Sequence, residues 1–287
     1  MSFEKDGSFK RDGDPSIYLY RQVMNGRSQT GIVACVSTDD YKKNLIKKHE
    51  QTRKEKEDDR TLHTLTLKAN AGPVFLTYKN NKEINSLIDL DVSERSIFHF
   101  VDENNITHTG WKVLNPDEYV KAFKQVDSLY IADGHHRAAS ASRAASILEK
   151  ENTDNSKKFN WFMSVIFPAS DLQIFPYNRI ITGIGDISET LILDSLKKIG
   201  EVSSRNETKI NRGNTCIFYQ NKWLNIKLNK APEKTKSASS HLEVSRIQDL
   251  FLRPTFGIND PRKDPRLKFI GGINSESIKE SEIKSDP

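Results

Sequence analysis

Short apolar runs along the chain predict many strands and fewer helices. The segment 17–37, IYLYRQVMNGRSQTGIVACVS, has an apolar run on each side of Asn25-Gly26, a dipeptide typical of two-residue β-hairpin turns. A second hairpin is predicted over 96–114. The remaining strands are predicted over 74–79, 128–133, 160–168, 172–181, 214–219 and 222–228.

Helical patterns separate these strands, and several have recognisable ends. Thr38 or Asp39 can cap a short helix, and Asn115 followed by Pro116 marks the start of another. The longest predicted helix begins at His135, and its alternating alanines and serines give it a face of small side chains that can lie close to a sheet. The other helices are predicted over 53–70, 82–89, 115–126, 187–198 and 241–252, the last stopping at Pro254, with a polar loop over 229–240.

The composition is that of a soluble globular protein with one large domain or two modest ones. The 287 residues are 36% hydrophobic and 29% charged. There is no apolar run of about 18 residues and no apolar secretory segment near the N-terminus, so we expect a cytoplasmic protein that does not contact a membrane. Cys35 and Cys216 are too few for a disulfide framework, and we expect both to be reduced thiols in the core.

The net charge of +5 and the pI of about 9.0 raise the question of a nucleic-acid partner. In the most basic stretch, residues 41–60, six lysines and two arginines are interleaved with five acidic residues. That pattern is typical of a solvated helix with i,i+4 ion pairs. We therefore expect no nucleic-acid partner.

A dense polar cluster, Asp133-Gly134-His135-His136-Arg137, stands between a predicted strand and the longest helix. The N–H groups of a helix start point outward, the helix dipole makes that end electropositive, and glycine lets an anion approach the backbone. Arg137 can add a bidentate contact, and either histidine can donate to the same oxygens. Asp133 can cap the helix, orient a histidine or bind Mg²⁺. The cluster therefore favours a phosphate site.

Two alternatives stay open. Asp133 can be a plain capping residue beside surface histidines, or the cluster can join His49-Glu50 or His63 in a zinc hydrolase site. Adjacent histidines on a helix point about 100° apart, and neither H-E-x-x-H nor H-x-H-x-D-H occurs. The Walker motif, G-x-G-x-x-G and G-x-S-x-G are also absent, so any phosphate chemistry uses a less common phosphate-binding loop.

Several segments spread over 16–273 resemble the domain of unknown function 1015 family. Members of that family are usually longer at both ends, so the resemblance implies a fragment or a short form, with 274–287 a disordered or truncated tail. The segments that carry the resemblance are YRQVMNGRSQTGIVACVSTDDY, IKKHEQTRKEKEDDR, GPVFLTY, LYIADGHHRAASA, YNRII and GINDPRKDPRLKFIGGI.

The DGHHR segment further resembles the phosphate-binding loop of the ParB/sulfiredoxin-like superfamily, which has a G-x-[HR]-R turn opening a helix and includes the free serine kinase. His135 stands where sulfiredoxins carry their reactive cysteine, and 183–287 has no helix-turn-helix pattern, so neither sulfiredoxin nor chromosome-partition activity is expected. The resemblance implies an α/β (mixed α+β) fold. A ParB/sulfiredoxin-like nucleotide-binding core would cover 16–182, and a C-terminal α+β region 183–273.

The resemblance implies a kinase-like phosphotransferase that uses ADP or ATP with Mg²⁺ and acts on a small hydroxyl compound, with serine as the expected acceptor. Such a reaction needs phosphate donors and a carboxylate near the acceptor. Glu50 would be the base, although it can also be part of a solvated helical face, and Arg53 is a weaker candidate for charge neutralisation. Alternatives are a metal-dependent phosphate-ester hydrolase and a non-catalytic nucleotide-binding regulator.

The expected site comprises Glu50, Asp133 and His136 as catalytic residues, Gly134, His135, His136, Arg137, Lys48 and His49 as nucleotide-binding residues, and Asp133 as the metal ligand.

Two further polar segments are ambiguous. Asn178 and Arg179 follow a strand, and 257–266 is a loop with two Asp-Pro steps. The loop suits either polar recognition or a rigid, salt-bridged turn. Its polar residues are Asn259, Asp260, Arg262, Asp264 and Arg266.

Overall fold

The chain forms two compact units, Met1–Gln173 and Ile174–Pro287, in a computed structural model. The structure describes residues 5–8, 12–49, 52, 54–151, 157–175, 177–185, 187–205, 214–230, 238–261 and 263–271. The sequence placed the boundary after residue 182. The difference arises because the strand Tyr177–Ile181 pairs with Leu267–Gly271 and so belongs to the second unit. Over these ranges no helix is both long enough and apolar enough to cross a bilayer.

The first unit is built on a mixed eight-stranded sheet with the strand order β3-β7-β4-β8-β2-β1-β6-β5. Most neighbouring strands are antiparallel, whereas β3 runs parallel to β7 and β4 runs parallel to β8. A mixed α/β fold is therefore confirmed. The strands are β1 (Tyr18–Met24), β2 (Arg27–Ser37), β3 (Ile46–Lys47), β4 (Val74–Tyr78), β5 (Phe98–Val101), β6 (Thr107–Lys112), β7 (Leu129–Asp133) and β8 (Trp161–Pro168).

The predicted first hairpin is present. Met24 pairs with Arg27 across the turn, and Asn25 and Gly26 have φ values of 51° and 75°. Positive φ at both central residues is the signature of a type I′ turn, which matches the twist of the two strands. The predicted second hairpin is also present, as β5 and β6.

Helices α1 to α5 complete the first unit. Ser37, rather than Thr38 or Asp39, caps α1, since its hydroxyl accepts from the Asp39 N–H at 3.0 Å. The expected cap Asn115 makes no side-chain hydrogen bond to α4. The helices are α1 (Thr38–Lys42), α2 (Lys54–Leu67), α3 (Lys82–Asp91), α4 (Pro116–Phe123) and α5 (His135–Glu151).

One hydrophobic core joins the sheet to the helices. Leu19, Leu76 and Ile131 from the strands pack in the same cluster as Ile84 of α3 and Ala138 of α5. The small-residue face of α5 is buried as predicted, because alanines along it let the helix lie close to the strands. Its buried alanines are Ala138, Ala139, Ala141, Ala144 and Ala145.

The expectation of core cysteines is wrong. Cys35 is exposed and Cys216 is only partly buried. Cys35 lies on β2 opposite Met163 of β8, one residue away from Val36, which packs against the core. Because successive side chains of a strand point to opposite faces, Cys35 falls on the face away from the helices.

The second unit contains a three-stranded antiparallel sheet, β10-β12-β11, and the pair β9-β13. Its separate core includes Ile192, Leu196 and Phe251. The elements are β9 (Tyr177–Ile181), α6 (Glu189–Ile199), β10 (Gly200–Arg205), β11 (Asn214–Tyr219), β12 (Lys222–Leu228), α7 (Glu243–Ile247), a π-helical turn (Gln248–Leu252), α8 (Arg253–Phe256) and β13 (Leu267–Gly271).

The predicted stop of the last helix at Pro254 is wrong. Helical structure passes from α7 through the π-helical turn into α8, where Pro254 occupies the first turn. A proline has no N–H for the i→i−4 ladder, and the π-helical turn that disrupts this ladder lies directly before α8. The helix ends at Gly257, which has a φ of 68°.

Candidate functional site

The strand-to-helix junction at β7 and α5 forms as predicted. β7 ends at Asp133, Gly134 has a φ of 93°, and α5 begins at His135. The helical ladder starts with the Ala138 N–H donating to the Gly134 carbonyl at 3.0 Å. The N–H groups of the first turn therefore point out of the helix end, where the dipole favours an anion.

Arg137 turns back toward this helix end. Its Nη2 donates to Asp133 Oδ2 at 2.5 Å, and the Arg137 and Asp133 side chains are 38% and 73% exposed. A Cβ atom on Gly134 would lie 2.9 Å from Arg137 Nε, and a Cβ atom on Gly72 would lie 3.4 Å from Arg137 Nη1. The guanidinium thus lies against two glycines while the carboxylate fixes its direction.

His135 is only 5% exposed and contacts the loop after β3. The His49 N–H donates to His135 Nε2 at 3.5 Å, and the two rings meet nearly perpendicularly with centroids 4.3 Å apart. His135 therefore joins the His49 loop to the start of α5. This contact brings His49, one of the expected binding residues, to the helix end.

His136 presents an unsatisfied polar atom. Its Nδ1 is buried and has no hydrogen-bond partner among the described residues. A buried polar atom without a partner is costly unless a ligand or water satisfies it. His136 also lines the cleft described next, although its Nδ1 atom is itself closed to solvent.

An open cleft of about 780 Å³ extends from the helix end along α2. Its volume is within the range typical of small-molecule sites. One wall is α2, the second is the loop 70–72, and the third is the junction of β7 with α5. The lining residues are Glu55, Lys56, Asp59, Arg60, His63, Thr64, Asn70, Ala71, Gly72, Asp133, Gly134, His135, His136, Arg137 and Ser140.

Packing between α2 and α5 sets the position of the α2 wall. Arg143 of α5 forms ion pairs with Asp58 and, at 3.5 Å, with Glu57 of α2. The Ser140 hydroxyl lies 3.4 Å from the Glu57 carbonyl. These contacts hold the two helical walls of the cleft together.

The structure brings most of the expected binding residues together, with exceptions. Lys48 is exposed, and its Nζ lies 4.0 Å from the centroid of the Tyr41 ring instead of lining the cleft. Glu50 and Arg53 lie outside the described residues. Within the described ranges no group of three or more His, Cys, Asp or Glu side chains is placed to hold a metal ion.

Apart from His63, sequence reasoning missed the cleft residues of α2. It assigned that stretch to a solvated face with i,i+4 ion pairs, whereas Lys56 and Arg60 face the cleft. The available signal was the spacing, because Lys56 and Arg60 are both basic and four residues apart, as Glu55 and Asp59 are both acidic and four residues apart. Such like-charge pairs do not support a helix by ion pairing.

The two ambiguous segments of the second unit have structural contacts. Arg179 donates to Gln248 Oε1 at 3.3 Å and lies over the Phe269 ring, and burial lowers its pKa. Arg266 donates to both carboxylate oxygens of Asp264, at 3.0 and 2.7 Å, and this contact lowers the Asp264 pKa. The loop is thus a salt-bridged turn in its described part, with Arg262 outside it.

Fold and cleft together define a mixed α/β protein with a small-molecule-sized cleft at a glycine-opened helix start. The chain belongs to the family described as "Protein of unknown function (DUF1015)", whose sequence profile matches residues 1–248. No curated protein and no solved structure matches it significantly.

Proposed function

We propose that this protein is a nucleotide-dependent phosphotransferase that phosphorylates a small hydroxyl compound. The observation that carries the proposal is the Arg137 guanidinium, held beside the start of α5 in the open cleft. Outward N–H groups and an oriented guanidinium are the two donor types that phosphate oxygens accept best. The proposal follows the expectation from the ParB/sulfiredoxin-like resemblance.

The polar groups at the helix end can share one phosphate. Arg137 offers a planar fork for two oxygens, and the neighbouring His136 lines the same cleft. Gly134 has no side chain to obstruct the approach. Asp133 orients Arg137 and is itself 73% exposed, so it can turn toward a ligand at small cost.

In the proposed reaction the acceptor hydroxyl oxygen forms a bond to the terminal phosphorus of ADP or ATP. The bond from that phosphorus to the bridging oxygen breaks, and its electron pair leaves with AMP or ADP. The hydroxyl proton passes to a base. Glu50 is the proposed base because it follows His49 directly in sequence, and the His49 backbone contacts the helix start through His135.

A magnesium ion fits this scheme only together with the nucleotide. Magnesium commonly uses one or two carboxylates plus substrate phosphates, and Asp133 is the carboxylate at the helix end. When bound, the ion would neutralise developing charge on the phosphate oxygens. The Asp133 carboxylate would then be shared between Arg137 and the ion.

Calorimetric titration of ADP and ATP, with Mg²⁺ present, tests the binding part. Arg137→Gln should raise the Kd about tenfold or more, because it removes a charge-assisted contact to phosphate. Arg95→Gln is the matched control, since Arg95 is exposed and does not line the cleft. Unchanged affinity in Arg137→Gln would mean that phosphate does not bind at this helix end.

Mass spectrometry of serine incubated with each nucleotide tests the chemistry. We expect phosphoserine from the wild type, and Glu50→Gln should retain nucleotide binding while turnover is lost. Full turnover in Glu50→Gln would exclude Glu50 as the base. Nucleotide binding without transfer to serine or other small alcohols would favour a regulator, and hydrolysis of phosphate monoesters stimulated by Zn²⁺ or Mn²⁺ would favour a hydrolase.

A further inference from the structure

The cleft face of α2 carries two columns of like charge. Lys56 and Arg60 form a basic column, Glu55 and Asp59 form an acidic column, and all four residues line the cleft. Residues four apart on a helix are neighbours, about 5–6 Å apart at Cβ, and like charges at that spacing destabilise the helix. These two like-charge pairs therefore do not contribute to the stability of α2.

The packing of α2 does not use the basic column. The helix is anchored by Glu57 and Asp58, which pair with Arg143, and by the buried Thr61. Lys56 and Arg60 are both exposed, and neither forms an ion pair with any residue that the structure describes. Lys56 and Arg60 thus line the cleft next to Glu55 and Asp59 without forming an ion pair with the residues that pack α2.

The helix start of α5 and the basic column line the same cleft. One phosphate at the start of α5 can be neutralised by Arg137 and the helix end. Lys56 and Arg60 would then face any anionic group attached to that phosphate and lying along α2. A second phosphate attached to the first would give Lys56 and Arg60 an anionic partner in addition to the neighbouring Glu55 and Asp59.

We infer that Lys56 and Arg60 form a second phosphate subsite, so that the ligand of this cleft carries a chain of at least two phosphates. The inference rests on the proposed function for its first phosphate site, and it adds the residues that would bind the second phosphate and so favour a nucleoside diphosphate or triphosphate over a monophosphate. Lys56 and Arg60 are binding residues that determine this preference.

Calorimetric titrations of pyrophosphate and of inorganic phosphate, each with Mg²⁺, test the subsite without a nucleoside. Wild type should bind pyrophosphate at least about tenfold tighter than phosphate. Lys56→Met and Arg60→Met should each weaken pyrophosphate binding about tenfold, the loss expected for one charge-assisted contact. Phosphate binding should change less than about twofold, since that anion sits at Arg137.

Lys82→Met is the matched control, because Lys82 is an exposed lysine of α3 outside the cleft. Arg60→Lys should bind pyrophosphate more tightly than Arg60→Met, because it keeps the positive charge. If Arg60 had only a structural role, the affinity would not follow the charge at this position. ADP and AMP titrations should repeat the pattern. Thermal melts of all variants verify folding, and exposed positions should melt near the wild type.

The possible outcomes separate this inference from the proposed function. Pyrophosphate binding that is unaffected by Lys56→Met and Arg60→Met, but is lost in Arg137→Gln, overturns the second subsite and leaves the first. Dependence on Lys56 and Arg60 without any phosphate transfer supports the subsite and overturns the phosphotransferase. Failure of the wild type to bind either anion overturns both.

Discussion

Gly134→Ala is the sharpest test of the helix start, because it adds one carbon atom at the centre of the site. Gly134 has a φ of 93°, a backbone conformation that residues other than glycine rarely adopt. The new Cβ would lie 2.9 Å from Arg137 Nε and 3.0 Å from Nη2. Since the guanidinium is the far end of a flexible side chain, it should move rather than the backbone.

Two contributions set the magnitude. Holding a non-glycine residue at such a φ costs about 1–2 kcal/mol, and a Gly→Ala change at a positive φ destabilises by more than the about 0.4–1 kcal/mol that it would gain at a compatible site. We therefore expect a loss of about 1–2 kcal/mol in the free energy of unfolding. For a unit of this size that corresponds to a fall in Tm of roughly 2–8 °C.

The assay combines thermal unfolding with phosphate and pyrophosphate titration. Gly72→Ala is the control, because its Cβ would lie at an ordinary contact distance of 3.4 Å from Arg137 Nη1 and its φ is not in the left-handed region. Gly134→Ala should lose both stability and anion affinity, and Gly72→Ala should keep its stability. Equal melting and equal affinity in Gly134→Ala and wild type would refute the described geometry of the helix start.

Three further predictions concern packing and pH. Tyr119→Phe should lower the free energy of unfolding in urea by about 1–3 kcal/mol, because the buried Tyr119 hydroxyl donates to Asp91 Oδ2 at 2.7 Å; an unchanged urea midpoint would contradict this. Burial raises the pKa of Tyr78 and Tyr119, so above about pH 10 the unfolded chain loses protons that the folded chain keeps, and stability should fall by about 1.4 kcal/mol per pH unit for each tyrosine. Tyr78→Phe should make that alkaline slope shallower. Arg143→Glu should weaken pyrophosphate binding although Arg143 does not line the cleft, because it removes the ion pairs that hold α2 against α5. Adding Asp58→Arg should restore the ion pair and the binding in a double-mutant cycle.

Local chemistry made parts of the fold predictable. The Asn25-Gly26 hairpin follows from two residues that tolerate positive φ. The start of α5 follows from a glycine between an apolar run and an alanine-rich one, and the burial of the small face of α5 follows from its spacing. Each signal lies within a few residues of the structure that it determines.

Elements that depend on distant partners were not predictable in this way. β3 has two residues and exists because it pairs with β7, more than eighty residues later in the chain. β10 and β13 likewise need β12 and β9 as partners. The side of α2 that faces the cleft is set by Arg143 on another helix, so the charge pattern of α2 alone could not separate a solvated face from a cleft wall.

The site at Arg137 shows how a local signal and a distant one combine. DGHHR predicts the outward N–H groups, but the second glycine comes from strand pairing: β4 is antiparallel to β7, and Phe75 lies opposite Asp133. The residues before β4 therefore meet the residues after β7 at the same end of these two strands, which brings Gly72 within reach of the guanidinium. A Cβ atom at position 134 would crowd Arg137, whereas one at position 72 would only touch it, so the direction of the guanidinium depends mainly on Gly134 and on Asp133. A phosphate ligand would then meet an arginine that is already oriented, and less side-chain entropy is lost on binding than with a freely rotating arginine.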